Sequence, residues 1–183
     1  MPTVSLIAHP ATPNEAVRSL RATALVTDRA LLSIDFELSG DLSQLRLPVP
    51  SSSKRTDELW KHTCFEAFVT TEGAGYIELN FSPSTQWAAY SFTGYRTGMR
   101  PVELGDSPRI TVERQASTLR VRTLTRLPAA ADVGRSQPAA AAAARMGLSA
   151  VIEALDGKVS YWAARHAAGK PDFHHPDAFV LTS

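Results

Sequence analysis

One cysteine, Cys64, stands in 183 residues. A lone thiol closes no intrachain disulfide, and it excludes a cysteine-based zinc cage. No stretch reaches the ~18 consecutive apolar residues that a membrane-crossing helix requires. The opening "MPTVSLIAHPATP" has no basic start followed by a long apolar core, so no secretory signal is expected and the cytoplasm is the expected compartment. An excess of one charge is also missing: 19 Lys and Arg face 18 Asp and Glu, for a net charge of +1. The arginines at 18, 21, 109, 114, 120, 122 and 126 are spread along alternating segments. They read as solvated sheet faces rather than the clustered basic patch of a nucleic-acid binder. Neither nucleic acid nor membrane is an expected partner, and the oligomeric state is left open.

Helical periodicity is scarce, and strand periodicity takes its place. "LLSIDFEL" alternates Leu32, Ile34, Phe36 and Leu38 against Ser33, Asp35 and Glu37, which gives one buried and one wet face. "YIELNF" sets Ile77, Leu79 and Phe81 against Tyr76, Glu78 and Asn80. "FEAFV", "WAAYSF", "RITVER", "TLRVRTL", "VSLIAH" and "SLRATALV" are further strands, while "PNEAVRSLRA" fits either helix or strand. "LSAVIEALDGKVSYWAA" reads as a hairpin, with Asp156-Gly157 suited to a two-residue type I′ turn. In "SQPAAAAAARMGLSA" six alanines after a proline favour one short helix. Short strands punctuated by Pro, Gly, Ser and Asp predict an all-β fold, a single antiparallel sandwich of jelly-roll type, as one domain over residues 1–183.

Chemistry concentrates in two places. In "DELWKHTCFEAFV" a loop delivers Trp60 to the start of a strand, and Glu66 then shares a strand face with Cys64 and Phe68. A mid-strand carboxylate among aromatics is costly to bury unless paired. Glu66 either meets an arginine across the sandwich or lines a concave face that receives a polar ligand. The face carrying Tyr76, Glu78 and Asn80 supports the second reading. Carboxylates and amides grip sugar hydroxyls, and the apolar side of a sugar ring stacks on indole. The same two carboxylates, Glu66 and Glu78, also fit a glycosidase acid/base pair. Tyr95 and Arg96, where the next strand should end, face the site or the loop beside it.

These segments, "ELWKHTCFEAFV…YIELNFSPSTQWAAYSFTGYR" and "SYWAARHAAGKPDFHHPDAF", resemble the bacterial DOMON-like family, which is related to the family 9 carbohydrate-binding modules. The likeness spans about residues 5–182 and is strongest over 57–99 and 148–180. It implies a jelly-roll-like sandwich with sugar-binding or haem-binding ancestry. By that resemblance Trp60 is the loop tryptophan that stacks on the sugar and Glu66 the glutamate of the next strand. Glu78 and Asn80 take the places that bind hydroxyls. Glu78 departs from the pattern, where an arginine is more usual. The second stacking group would come from near the C-terminus, from Trp162, Phe173 or His174. The haem-binding branch uses axial methionine and histidine, which directs attention to Met99 and Met146.

The stretch "RHAAGKPDFHHPDAF" (165–179) holds three of the five histidines. His174 and His175 are adjacent and point to opposite sides of an extended chain, so a shared metal is disfavoured. A site through His166, His174, Asp172 and Asp177 remains conceivable. The strand "VSYWAARH" is expected to run to the Trp60 end of the sandwich. The loop after it would then form a rim, with Lys170, Asp172 and His174 supplying directional contacts and Arg165 and Lys170 accepting a phosphate. The expected function is non-catalytic binding of a small polar ligand, a sugar or sugar derivative. The ligand-binding set is Trp60, Glu66, Glu78, Asn80, Tyr95, Arg96, Trp162, Arg165, Lys170, Asp172 and His174, with no catalytic or metal-binding residue and no cofactor. A hydrolase, a haem or divalent-metal binder and a protein-interaction module are the alternatives.

Overall fold

A computed structural model describes residues 3–27, 30–71, 73–128 and 144–182. Strands form where the sequence alternates: β1 (Thr3–Ala8), β2 (Val17–Val26), β3 (Leu31–Gly40), β4 (Cys64–Thr70), β5 (Tyr76–Phe81) and β6 (Trp87–Phe92). They are followed by β7 (Arg100–Pro101), β8 (Arg109–Arg114), β9 (Thr118–Arg126), β10 (Arg145–Glu153), β11 (Val159–Ala163) and β12 (Leu181–Thr182). Three-residue 3-10 turns at 42–44, 59–61 and 176–178 are the helical pieces among the described residues. None of the described helices is long and apolar enough to cross a membrane.

The order β7-β6-β5-β4-β10-β11-β1-β2-β3-β9-β8 runs through both layers of an all-β sandwich, and every pairing between these strands is antiparallel. β1 joins the layers: Thr3 to Leu6 pair with β2, whereas Ile7 and Ala8 pair with β11. Between the layers the apolar halves of the alternating strands interlock. Phe36 of one layer meets Phe65 of the other at 5.0 Å between ring centroids, and both are fully buried. Emptying either position to alanine should cost about 3–5 kcal/mol. The wet face of the first layer carries ion pairs, Arg120 with Asp35 and Glu37 and Arg122 with Asp35 and Glu113. This is the solvated role expected of those two arginines.

Two local expectations need correction. The β10–β11 hairpin forms, but Asp156 does not adopt positive φ. Gly157 alone does, at +83°, and its N–H closes a turn on Ala154 O while Ala154 N–H reaches Lys158 O. This is a three-residue loop with a left-handed glycine, not the two-residue type I′ turn. The alanine-rich helix falls mainly on residues 129–143, outside the described residues. From Arg145 onward the segment is β10, because Met146, Leu148, Ala150 and Ile152 alternate into the core with β4 and β11 on either side. The ambiguous "PNEAVRSLRA" resolves as strand from Val17, and Asn14 closes an Asx turn on Ala16 N–H.

The outer face of the second layer is also covered. The chain after β11 folds back across it, and Phe179 stacks on Phe68 at 5.9 Å. Gly147 makes this approach possible: a Cβ there would lie 2.8 Å from Phe179 Cδ1 and 3.1 Å from Ala178 O. Gly147→Ala is therefore expected to destabilise the protein by about 1–3 kcal/mol. Urea denaturation measures this, and an unchanged midpoint would show that the C-terminal segment is not held against the sheet.

Candidate functional site

The outer face of β10, β4, β5 and β6 is built from the residues that alternate away from the core. Ala88, Asn80, Glu66, Ser149 and Ala163 stand opposite one another across five strands. Three polar groups thus sit in a row between two methyl groups. Glu78 lies on the same face, opposite Phe68 and diagonal to Glu66. Above this floor is a cavity of about 340 Å³. Trp60, Phe92, Tyr161 and Phe173 wall it, Glu66 and Glu78 reach it from below, and Arg96, Met99, Val151, Pro171 and His174 complete the lining.

Every polar group in the floor is buried: Glu66 is 2% exposed, Glu78 5% and Asn80 0%. Ser149 Oγ donates to Glu66 Oε2 at 3.1 Å, and Asn80 Nδ2 donates to Glu78 Oε1 at 2.7 Å. The Cys64 thiol lies 3.6 Å from Asn80 Oδ1 as a weak donor. Burial pushes Glu66 well above the usual carboxyl range, and the charge of Glu78 adds to this against the Ser149 hydrogen bond. Burial also raises Glu78, partly offset by Asn80 and by the positive charge of Arg96. Both shifts favour the protonated form, that of Glu66 the more strongly. Cys64 is likewise held as a thiol by burial and by Glu66.

The loops over this floor are tied to one another. Arg96 has left-handed φ (+54°), uncommon for a non-glycine residue, and its backbone N–H donates to Tyr76 Oη at 3.2 Å. Its guanidinium reaches Asp172 Oδ1 through Nη2 at 2.8 Å and Nε at 3.3 Å. Tyr95 donates to the other oxygen of Asp172, and His174 N–H donates to Oδ1. Burial opposes the charge on Asp172, but Tyr95 and Arg96 outweigh it and hold the carboxyl below its ordinary range. Tyr76 Oη lies 2.7 Å from His174 Nδ1. With the phenol accepting the Arg96 N–H and donating to Nδ1, the imidazole proton is assigned to Nε2, 3.8 Å from Glu78 Oε2. Burial pushes Tyr76 up to about 12. It lowers His174 to about 4, with Arg96 acting in the same direction.

Neither a family model nor a curated protein matches this chain in sequence. Solved structures match it in fold. A protein of Bacteroides uniformis ATCC 8492, provisionally named as carbohydrate-binding, superposes with a TM-score of 0.62 at 12% identity. That match covers 98% of this chain and 84% of the other. A family 9 carbohydrate-binding module from Caldicellulosiruptor kristjanssonii, solved with glucose, gives a TM-score of 0.44 at 11% identity over 90% of this chain and 76% of that one. At such identity the first likeness shows a shared sandwich fold.

Of the expected residues, Trp60, Glu66, Glu78, Arg96 and His174 line the cavity, with Asn80 behind Glu78. Tyr95 and Asp172 brace Arg96 instead of lining it. Trp162 is misplaced by one residue. It points into the core between the layers and its Nε1 donates to Ser160 Oγ, whereas its neighbour Tyr161 takes the site face. Arg165 and Lys170 are exposed and do not line the cavity, Lys170 following the sharp turn at Gly169 (φ +99°). The path of β11 is also reversed. It is antiparallel to β10, as is β4, so it starts at the Trp60 end and runs away from it. The following loop returns over the face, bringing Phe173 to 5.8 Å from Tyr161.

The histidines separate. His175 Nδ1 accepts Asp177 N–H and caps a 3-10 turn, and His166 packs edge-on against His9 at 4.9 Å. Among the described residues no group of three or more His, Cys, Asp or Glu side chains is placed to hold a metal. Met146 lies in the core between the layers. Met99 and His174 both line the cavity, but His174 Nδ1 is taken by Tyr76 and Nε2 faces Glu78, which does not fit an axial haem ligand.

Because folding lowers the His174 value from 6.5 to about 4, the unfolded chain binds its proton first as pH falls. The stability of neutral His174 is therefore complete above about pH 6.5 and lost toward pH 4, by at most about 3 kcal/mol. In an NMR titration its imidazole should stay neutral at pH 5. Wild type should lose stability relative to His174→Gln across this window. An imidazole that titrates near 6.5 would contradict the buried, Tyr76-bonded geometry.

Proposed function

We propose that this cavity binds a carbohydrate without transforming it, and that the chain is a DOMON-like relative of the family 9 carbohydrate-binding modules. The observation that carries the reading is the pairing of a buried polar floor with aromatic walls in a cavity of about 340 Å³. That size lies at the small end of ligand pockets and suits a ring of one or two sugars. Trp60 presents its indole beside Tyr90, which it meets edge-on at 5.5 Å. Tyr90 in turn donates to Asp57, which pairs with Arg55 at 2.9 Å. An indole braced from behind offers its free side to a sugar ring with little ordering cost. Glu66 meets a hydroxyl through the oxygen that Ser149 leaves free. Glu78 accepts from a hydroxyl, and His174 Nε2–H stands as a donor. The ligand class suggested for the Bacteroides protein of the same fold, and the sequence resemblance, support this assignment.

A thermal-shift screen against neutral mono- and disaccharides tests it. A ligand that binds only the native state raises the melting temperature. Trp60→Ala should weaken binding about tenfold or more while leaving the unliganded melting temperature close to wild type, since Trp60 is only half-buried. No shift with any sugar, or a shift that survives Trp60→Ala, would contradict the proposal.

The raised acid pair Glu66 and Glu78 gives a second reading, glycoside hydrolysis by an acid/base pair. Incubation with nitrophenyl glycosides separates the two. The binding reading expects no release of nitrophenol, whereas release abolished in Glu66→Gln would favour the hydrolase.

A further inference from the structure

We propose that the ligand carries a protonated amine, and that its ammonium seats between Glu66 and Glu78 on the cavity floor. The inference rests on the reading that this cavity binds a polar ring, and it names the ligand's charge.

The first argument is the balance of charge. Three carboxyls stand at the cavity or directly behind it, Glu66, Glu78 and Asp172, against one cation, Arg96. Arg96 is spent on Asp172, with Nη2 and Nε both on Oδ1. His174 is neutral, its Nδ1 taken by Tyr76. Around Glu66 and Glu78 the remaining titratable groups are the Cys64 thiol and the phenols of Tyr76 and Tyr90, and none supplies positive charge. An anionic ligand such as a sugar phosphate would meet two acids and no free cation among the described lining residues.

The second argument is hydrogen bonding. Glu66 accepts one bond, on Oε2 from Ser149, and Glu78 accepts one, on Oε1 from Asn80. The other oxygen of each has no donor within 3.5 Å among the described residues, the nearest recorded approach to Glu78 Oε2 being His174 Nε2 at 3.8 Å. Two side chains more than nine-tenths buried thus keep open acceptor capacity at a cavity that both line. These oxygens open on the cavity, and a primary ammonium brings three N–H donors to meet them. Third, the walls are the π surfaces of Trp60, Phe92, Tyr161 and Phe173. Aromatic faces around a cation are attractive when water is excluded, and an acid floor beneath them adds charge complementarity. An amino sugar satisfies the stacking surface and the acid floor together.

Binding then has a proton balance. In the free floor burial favours the protonated form of both acids, Glu66 the more strongly. An incoming R–NH₃⁺ favours their carboxylates instead, and each proton that a carboxyl gives up on binding passes to the buffer.

Titration calorimetry at neutral pH, in two buffers of different ionisation enthalpy, tests this with D-glucosamine, D-glucose, N-acetyl-D-glucosamine and cyclohexylamine. Glucosamine is expected to bind at least about tenfold more tightly than glucose. It should release up to about one proton per ligand, whereas glucose and the acetylated sugar release none. Glu66→Gln and Glu78→Gln, checked for native melting, should each remove the glucosamine preference. Glucose binding as tightly as glucosamine, or a preference that survives both variants, overturns the amine inference and leaves sugar binding standing. Cyclohexylamine binding as tightly as glucosamine, with proton release and without glucose binding, upholds the amine and overturns the sugar. No binding by any of the four overturns both.

Discussion

Glu66 and Glu78 enter one sheet face as diagonal neighbours, folded under a covering loop with a single guanidinium within reach. Isolated carboxylates cannot be carried into such a place at acceptable cost; they must be hydrogen-bonded, paired or protonated. Ser149 and Asn80 donate from strand positions beside them, burial favours the protonated acids, and Arg96 contributes field while its charge is anchored on Asp172. The loop geometry follows from this arrangement. Asp172 holds Arg96 and Tyr95, the Arg96 backbone holds Tyr76, and Tyr76 fixes the ring of His174 over Glu78. A change at any member is passed along hydrogen bonds as far as His174, whose Nε2 stands 3.8 Å from Glu78 Oε2.

The sandwich divides its labour by the two-residue period of its strands. One set of alternate side chains makes the core between the layers, and the other set makes a second, smaller cluster on the outer face. In that cluster Tyr76 and Phe92 stack at 4.6 Å, and Phe179 closes on Phe68. These rings close part of the face against water. The hollow forms over Glu66 and Glu78, between Trp60, Phe92, Tyr161 and Phe173. Open acceptors are tolerated in this hollow because a ligand or water can complete them.

Much of this was legible from the chain itself. "YIELNF" fixed which side chains share a face, and "CFEAFV" placed Glu66 beside Cys64 and Phe68 on the same side. The position of Trp60 before that strand located one wall. What could not be read was phase and partnership. "VSYWAA" offers Tyr161 and Trp162 as alternatives, and only pairing with β10 decides that Tyr161 faces outward. The strict alternation of Val159, Tyr161 and Ala163 was the available signal. The Arg96–Asp172 tie joins residues 76 apart, with nothing local to announce it. The adjacent histidines looked alike, yet His174 enters the site and His175 caps a turn, because successive residues of an extended segment point to opposite sides. The expected I′ turn failed because Asp-Gly also fits a three-residue loop, where the glycine alone needs positive φ.

The three tryptophans provide the most direct test of the central claim, that the outer face of the second layer is the ligand site. Trp60 lines the cavity, while Trp87 and Trp162 lie in the core between the layers. Their indole N–H resonances can be followed separately by NMR as a sugar or amino sugar is added. The account predicts that the Trp60 resonance shifts with saturation while those of Trp87 and Trp162 stay in place. Ligand binding that leaves Trp60 unmoved, or that moves the core indoles instead, would contradict it.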